Sequence, residues 1–150
     1  MTNPSALLAD YGAYHRDRRN LICHEIGIPL IVLGVIALLR LVTLTGTAFS
    51  LASLVVVVVM VYYAAAFGRE ARAATYIAIV GLAVLYVIAV FVTWPFAIAA
   101  FVVGWVFQFV GHAYEGKSPA FLTNLLHLLV GPLWVASHLV PKSASSSSAP

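Results

Sequence analysis

Charge is what this chain has least of. Of 150 residues, 8 are Lys or Arg and 5 are Asp or Glu, 9% together, where a soluble globular chain carries roughly a quarter. With 63% hydrophobic residues and a mean hydropathy of +1.02, the composition is not that of a water-soluble globular protein. The few basic residues sit at the ends of apolar segments rather than on one face. That argues against a nucleic-acid surface and for charge that sets membrane topology. A single cysteine, Cys23, excludes an intramolecular disulfide and any CxxC or CxxCH motif. No glycine-rich loop is present to cradle phosphate, and no serine has the histidine and carboxylate context of a nucleophilic triad. The first twenty residues are polar and no small-residue cleavage site follows the first apolar run, so no cleaved signal is expected.

Long apolar runs are what the chain has in quantity. The first extends from 21 to about 39 and is closed by Arg40. The second, 48–67, carries no charge, and the third, 74–93, lies between Gly68-Arg69-Glu70-Ala71-Arg72 and Trp94-Pro95. The fourth, 96–110, is shorter and ends in Gln108-Phe109-Val110-Gly111-His112. A membrane-crossing helix needs about 20 apolar residues, so the expectation is an all-α integral membrane protein with about four transmembrane helices. Before them, Asn3-Pro4 supplies a cap and a first-turn proline. The stripe Leu7, Leu8, Tyr11 and Tyr14, backed by Arg16, Arg18 and Arg19, reads as a helix lying at the membrane surface. The segment 120–140 is apolar but carries Asn124, His127, Ser137 and His138, with Gly131-Pro132 in its middle. It reads as a kinked or re-entrant helix, or two short ones, rather than a fifth span. Residues 143–150 form a serine-rich tail expected to be disordered, which leaves 1–142 as one membrane-embedded domain.

With the N-terminus cytoplasmic, one face holds Arg16, Arg18, Arg19, Arg69, Arg72 and Lys117, and the other keeps Arg40. An even number of spans then separates His24 from Gly111, so His15, His24 and His112 are expected on the same, cytoplasmic side. On one continuous helix His15 and His24, nine residues apart, would point opposite ways. They share a site only if the chain turns between them, and Asn20, a possible helix cap, marks a place for the turn. Trp105, Gln108, His112 and Glu115 make one polar stripe at helical spacing. His127 and His138 would lie about 16 Å apart on a continuous helix, too far for one ion.

Imidazole is the commonest protein metal ligand, and ionisable groups at membrane depth are functional suspects. His15, His24 and His112, with a carboxylate or a fourth imidazole, suit iron(II), zinc or copper. Each histidine alone reads first as an interfacial residue bonded to backbone or lipid, and it is the three on one face, beside Gln108, Glu115 and Asn124, that favour a metal site. Glu115 reads as a ligand, as an outer partner orienting one, or as a solvated carboxylate. Trp94, Trp105 and Tyr114 are interfacial belt residues. Asn20 can donate to a substrate carboxylate or cap a helix.

Tyr14-His15-x4-Asn20-x3-His24-x2-Gly27-x-Pro29, followed by Gly104-Trp105-x-Phe107-Gln108-Phe109-x-Gly111-His112, Glu115, Pro119-Ala120, Asn124-Leu125 and Pro132, resembles the Mpo-type 2-hydroxy fatty acid dioxygenases. The resemblance covers about residues 8–140. It implies a membrane-embedded, iron(II)-dependent enzyme of α-oxidation, which shortens a 2-hydroxy fatty acid by one carbon with dioxygen as co-substrate, as in the catabolism of phytosphingosine-derived acids. Carried over by residue, it matches His15, His24 and His112 to the family's histidines, which gives them as metal ligands. From the residues themselves, Glu115 is a candidate for the catalytic set, and Asn20, Gln108 and Asn124 are candidate substrate contacts. His127 has no counterpart among the family's histidines, where glutamine is common. His138 stands where the family often has Glu, six residues after the proline matching Pro132, and is therefore a candidate fourth ligand. A 2-hydroxy carboxylate can chelate iron(II) through both oxygens and leave a position for dioxygen. Its acyl chain would lie between apolar helices, with Arg16, Arg18, Arg19 or Lys117 attracting the carboxylate. Two other classes stay open from the residues alone. One is a non-catalytic membrane protein binding metal or haem between histidines. The other is a membrane scaffold with structural histidines.

Overall fold

The computed structural model describes residues 4–13, 15–44, 49–116 and 127–140. Among these residues the regular structure is helical: α1 (Pro4–Ala13), α2 (Arg18–Leu39), α3 (Leu51–Phe67), α4 (Arg72–Ala89), α5 (Trp94–Glu115) and α6 (His127–His138). The exception is an isolated bridge between Thr43 and Ser50 in the α2–α3 connection.

Local chemistry sets the helix ends. α2 begins after Asp17, whose backbone is extended and whose carboxylate accepts the Arg19 amide. α3 begins after Ser50, which forms a reciprocal capping box with Ser53. α5 opens with Pro95 in its first turn, where a missing N–H costs nothing. It ends at Gly116 in the left-handed conformation, φ 68°.

Three helices, α2 and α5 of 22 residues and α4 of 18, are long and apolar enough to cross a membrane. The second apolar run also forms a helix where one is expected, but this helix, α3, is shorter, at 17 residues, because the Ser50 cap starts it three residues inside the run that opens at 48. Large apolar side chains such as Val58, Val61, Val87, Phe91, Phe96 and Phe109 are more than half or nearly half exposed on the outer faces of α3, α4 and α5. A soluble monomer rarely shows so continuous an apolar exterior. In the C-terminal segment the described part, α6, is one helix with Pro132 inside it rather than two short ones. The expectations for Asn124 and for the tail 143–150 fall outside the described residues.

The tightest packing is between α2 and α5, which run antiparallel along a seam of small residues. A Cβ placed on Gly27 would lie 2.8 Å from the Gly104 carbonyl oxygen, and one on Gly34 would lie 2.7 Å from the Ala97 carbonyl oxygen. A Cβ on Gly111 would meet Asn20 Oδ1 at 2.5 Å and Cys23 Cβ at 2.9 Å. Small residues at seven-residue spacing let two helices approach backbone to backbone along their length. α4 packs against α2, α3 and α6, and α1 against α6. Polar cross-links are few and specific. Ser53 and Tyr86 hydroxyls meet at 2.8 Å, Tyr63 donates to the Leu129 carbonyl at 2.6 Å, and the Arg40 guanidinium donates to the Ala89 carbonyl at the end of α4.

Replacing Gly104 with valine is expected to destabilise the detergent-solubilised protein by at least the ~1–3 kcal/mol typical of overpacking, because the Gly27 carbonyl oxygen and the Ile31 backbone nitrogen lie within 2.9 Å of the added Cβ, alongside the Ile31 side chain. Gly81→Ala, whose Cβ meets nothing within 4 Å, is expected to have little effect. Thermal unfolding of the two variants checks this.

Candidate metal centre

The α2–α5 seam brings the start of α2 against the end of α5, and with it His24 against His112. His24 lies two turns into α2 and is 1% exposed. His112 lies in the last turn of α5 and is buried. His15 precedes α2, in the connection from α1, and is buried as well. The ring centroids are separated by 4.3 Å (His15–His24), 5.2 Å (His15–His112) and 4.9 Å (His24–His112). One ligand nitrogen from each lies within 4.8 Å of the others, the one such cluster of histidine, cysteine or carboxylate groups among the described residues.

The hydrogen bonds fix which nitrogens are offered. His15 Nδ1 donates to the Tyr11 carbonyl at 2.6 Å, and His24 Nδ1 donates to the Asn20 carbonyl at 3.0 Å. A carbonyl only accepts, so both Nδ1 atoms carry hydrogen and both Nε2 atoms of the neutral rings carry lone pairs. Those two Nε2 atoms face each other at 3.0 Å. Two lone pairs so placed repel, and a cation between them turns that repulsion into shared attraction. The separation is that of two adjacent ligands on one ion with metal–imidazole bonds of about 2.0–2.1 Å. The donor set therefore fits a metal ion held by imidazole, with each outer nitrogen tied to backbone in the manner of a metal-ligating histidine. Burial pushes the His15 pKa down to about 4, and His112 nearby lowers it too, against the Tyr11 carbonyl and Glu115, which raise it. The ring is thus neutral at ordinary pH, the state a metal requires.

The turn between His15 and His24 exists, but Asn20 does not cap it. Asp17 does, three residues earlier, because its backbone is extended there while Asn20 already sits inside α2. Asn20 is fully buried and donates its amide to Glu115 Oε2 at 3.0 Å. Glu115 is not among the three clustered ligands. Its carboxylate accepts the backbone amides of Arg16, at 2.9 and 3.0 Å, and Asp17, at 2.8 Å. These lie at the N-terminus of α2, where unpaired amides and the helix dipole favour a carboxylate. Glu115 thus clamps the connection that carries His15 onto the end of α5.

His138 does not join the trio. It is exposed, its Nδ1 donates to the Trp134 carbonyl at 2.9 Å, and its ring lies 4.2 Å from the Trp134 ring. The same indole lies 4.8 Å from His15. His127 also stays out of the trio, yet it is buried and lines a cavity of about 70 Å³ with His24, His112, Gln108 and Tyr11. Its Nε2 lies 3.1 Å from an Asp10 carboxylate oxygen. Gln108 is buried in the same wall, and among the described residues its Nε2 has no hydrogen-bond partner.

Two aromatic residues at the site escaped the sequence reading. Tyr11 stacks on His15 at 4.3 Å, and Trp134 closes over His15 and, at 6.5 Å, His24. The signals were spacing: Tyr11 precedes His15 by four residues, and Trp134 follows His127 by seven on one face of α6.

Two outcomes are expected. Glu115→Ala lowers metal affinity by about 10–100-fold, the usual loss when an outer partner is removed, in a metal titration of the purified protein. For the metal-free protein, His15 resists protonation down to about pH 4 while an unfolded imidazole protonates near 6.5. Between those values the unfolded chain binds the extra proton, so stability falls as pH is lowered through that window and is fully present above it. Thermal midpoints at several pH values check the slope, which His15→Gln flattens.

Comparison with known proteins gives one direction. A family model described as 2-hydroxy-palmitic acid dioxygenase Mpo1-like matches residues 1–78 and 69–143. The 2-hydroxy-palmitic acid dioxygenase MPO1 of Saccharomyces cerevisiae is 28% identical over 124 residues, covering 82% of this chain and 71% of the yeast protein. No solved structure matches the chain.

Proposed function

Because the chain belongs to the Mpo1-like family of 2-hydroxy-palmitic acid dioxygenases, we propose that it is a membrane-embedded, iron(II)-dependent dioxygenase. It carries out α-oxidation of 2-hydroxy fatty acids, shortening them by one carbon. The observation that carries this reading is the facing pair of His15 and His24 Nε2 atoms at 3.0 Å, with His112 completing the cluster.

His15, His24 and His112 hold the ion, and His138, which contacts Trp134 rather than the trio, is not needed as a fourth ligand. Bound iron(II) supplies Lewis acidity toward the 2-hydroxy carboxylate and the electrons that activate dioxygen. The chain's own residues do the rest. Glu115 orients His15 through the Arg16 and Asp17 amides, and Asn20 holds Glu115. Gln108, whose buried Nε2 lies in the cavity wall beside His24 and His112, donates to the acid's head group. The buried rings and Trp134 keep bulk water from the reacting end. Asn124 remains a candidate contact from the residues that follow α5.

Four membrane crossings, α2 to α5, form one domain over 1–142, with α1 at the surface and the histidines on the cytoplasmic side. This orientation follows from Arg16, Arg18, Arg19, Arg69 and Arg72 at that end. Membrane lipids surround the apolar exterior.

Protein purified gently in detergent is expected to contain non-haem iron, to lack a Soret band and to take up oxygen with a 2-hydroxy fatty acid. His112→Ala is expected to lower turnover by more than about 100-fold, beyond the loss from an outer partner, with helicity unchanged. Iron-free protein, or equal turnover by the variant, overturns the assignment.

A further inference from the structure

The small cavity beside the histidines is too small for more than a head group. A larger one, about 320 Å³, lies between α2, α3, α5 and α6, with Leu82 of α4 also in its wall. Its wall is apolar apart from the Trp105 ring and the Tyr63 hydroxyl, and that hydroxyl is already committed to the Leu129 carbonyl. The two cavities adjoin: Ile31, Val32, Trp105, Leu128 and Pro132 line both. From His24 the larger cavity reaches Val35 and Ile36, eleven and twelve residues along α2, a depth of about 16–18 Å. That is close to half of the ~30 Å hydrocarbon core, the depth one layer of acyl chains occupies in a bilayer. A third cavity, about 130 Å³ between α2, α4 and α6, shares only Ile28, Val32 and Pro132 with the histidine side.

We propose that the cavity between α2, α3, α5 and α6 binds one long unbranched acyl chain, methyl end deepest, and that Val35, Val55 and Phe101 at its far wall set the chain length accepted. This rests on the reading of the histidine trio as the place of the acid's head. The walls shared with that site, the apolar lining and the one-leaflet depth commit the cavity to an acyl tail rather than to a second protein. Each methylene that the wall excludes lowers affinity by about fourfold, the value of burying one CH₂.

The test uses the full chain with iron in detergent, and 2-hydroxy fatty acids of graded length carrying a photoreactive diazirine at the methyl end. The sixteen-carbon probe is expected to label the deep positions 35–36, 55–56 and Phe101. Val55→Trp and Val35→Phe, each checked for helicity, are expected to weaken labelling by the longest probes by tenfold or more while shorter ones still label. Gly81→Leu, at a position that lines the third cavity and where an added Cβ meets nothing within 4 Å, leaves the profile unchanged. Labelling of 77–81 and 135–139, which line the third cavity alone, or of outward positions instead, or an unchanged length profile in both folded variants, overturns the proposal. Labelling is read without turnover, so the two readings fail separately. A chain bound at the deep wall with no acid consumed keeps the acyl site and rejects the reaction. Turnover with a flat length profile and no deep labelling does the reverse.

Discussion

The backbone contact of α2 with α5 is the constraint on which the rest depends. Asn20, Gly27 and Gly34 on one helix meet Gly111, Gly104 and Ala97 on the other, each pair seven residues on from the last. In lipid, helix association gains little from the hydrophobic effect and relies on close packing. That contact fixes depth as well as distance, setting His24 beside His112 and the end of α5 beside the connection that carries His15. α6 and α1 then close the remaining side with Trp134, His127 and Tyr11, and α3 and α4 enclose the apolar volume below.

The chemistry follows from what a dry interior does to imidazole. A buried ring resists protonation, and a backbone carbonyl one helical turn back holds Nδ1 as a donor for both His15 and His24. Neither constraint needs an ion to act. Together they leave nitrogen lone pairs converging on one point. The acidic member of the site, Glu115, spends its oxygens on amides and so adds orientation rather than a ligand.

Much of this was legible in the residues. Apolar run length gave the helices, and the parity of the runs gave the shared face of His15, His24 and His112. Helical periodicity demanded a turn between the first two histidines. What escaped was decided by contacts between segments far apart in sequence. Asn20 is a plausible cap by residue type, but Asp17 wins because Asn20 is drawn into the α2–α5 seam by Glu115, 95 positions away. Glu115 itself could be ligand, partner or surface group until its acceptors were known. His127 looked peripheral because its place depends on how α6 packs, and α3 is shorter than its run because Ser50 stops it. Local pattern carries the elements; long-range polar contacts carry the site.

A seam built on a seven-residue repeat has a built-in ambiguity. Sliding α5 along α2 by one repeat would set Gly27 against Gly111 and Gly34 against Gly104, small residue still facing small residue. The slip, about 10 Å, would carry His112 away from His24. Glu115 has no equivalent one repeat further along, because the α2 N-terminus with its unpaired amides occurs once. The carboxylate that orients His15 is therefore also the feature that tells two nearly equivalent alignments of the helix pair apart, and it selects the one in which the histidines meet.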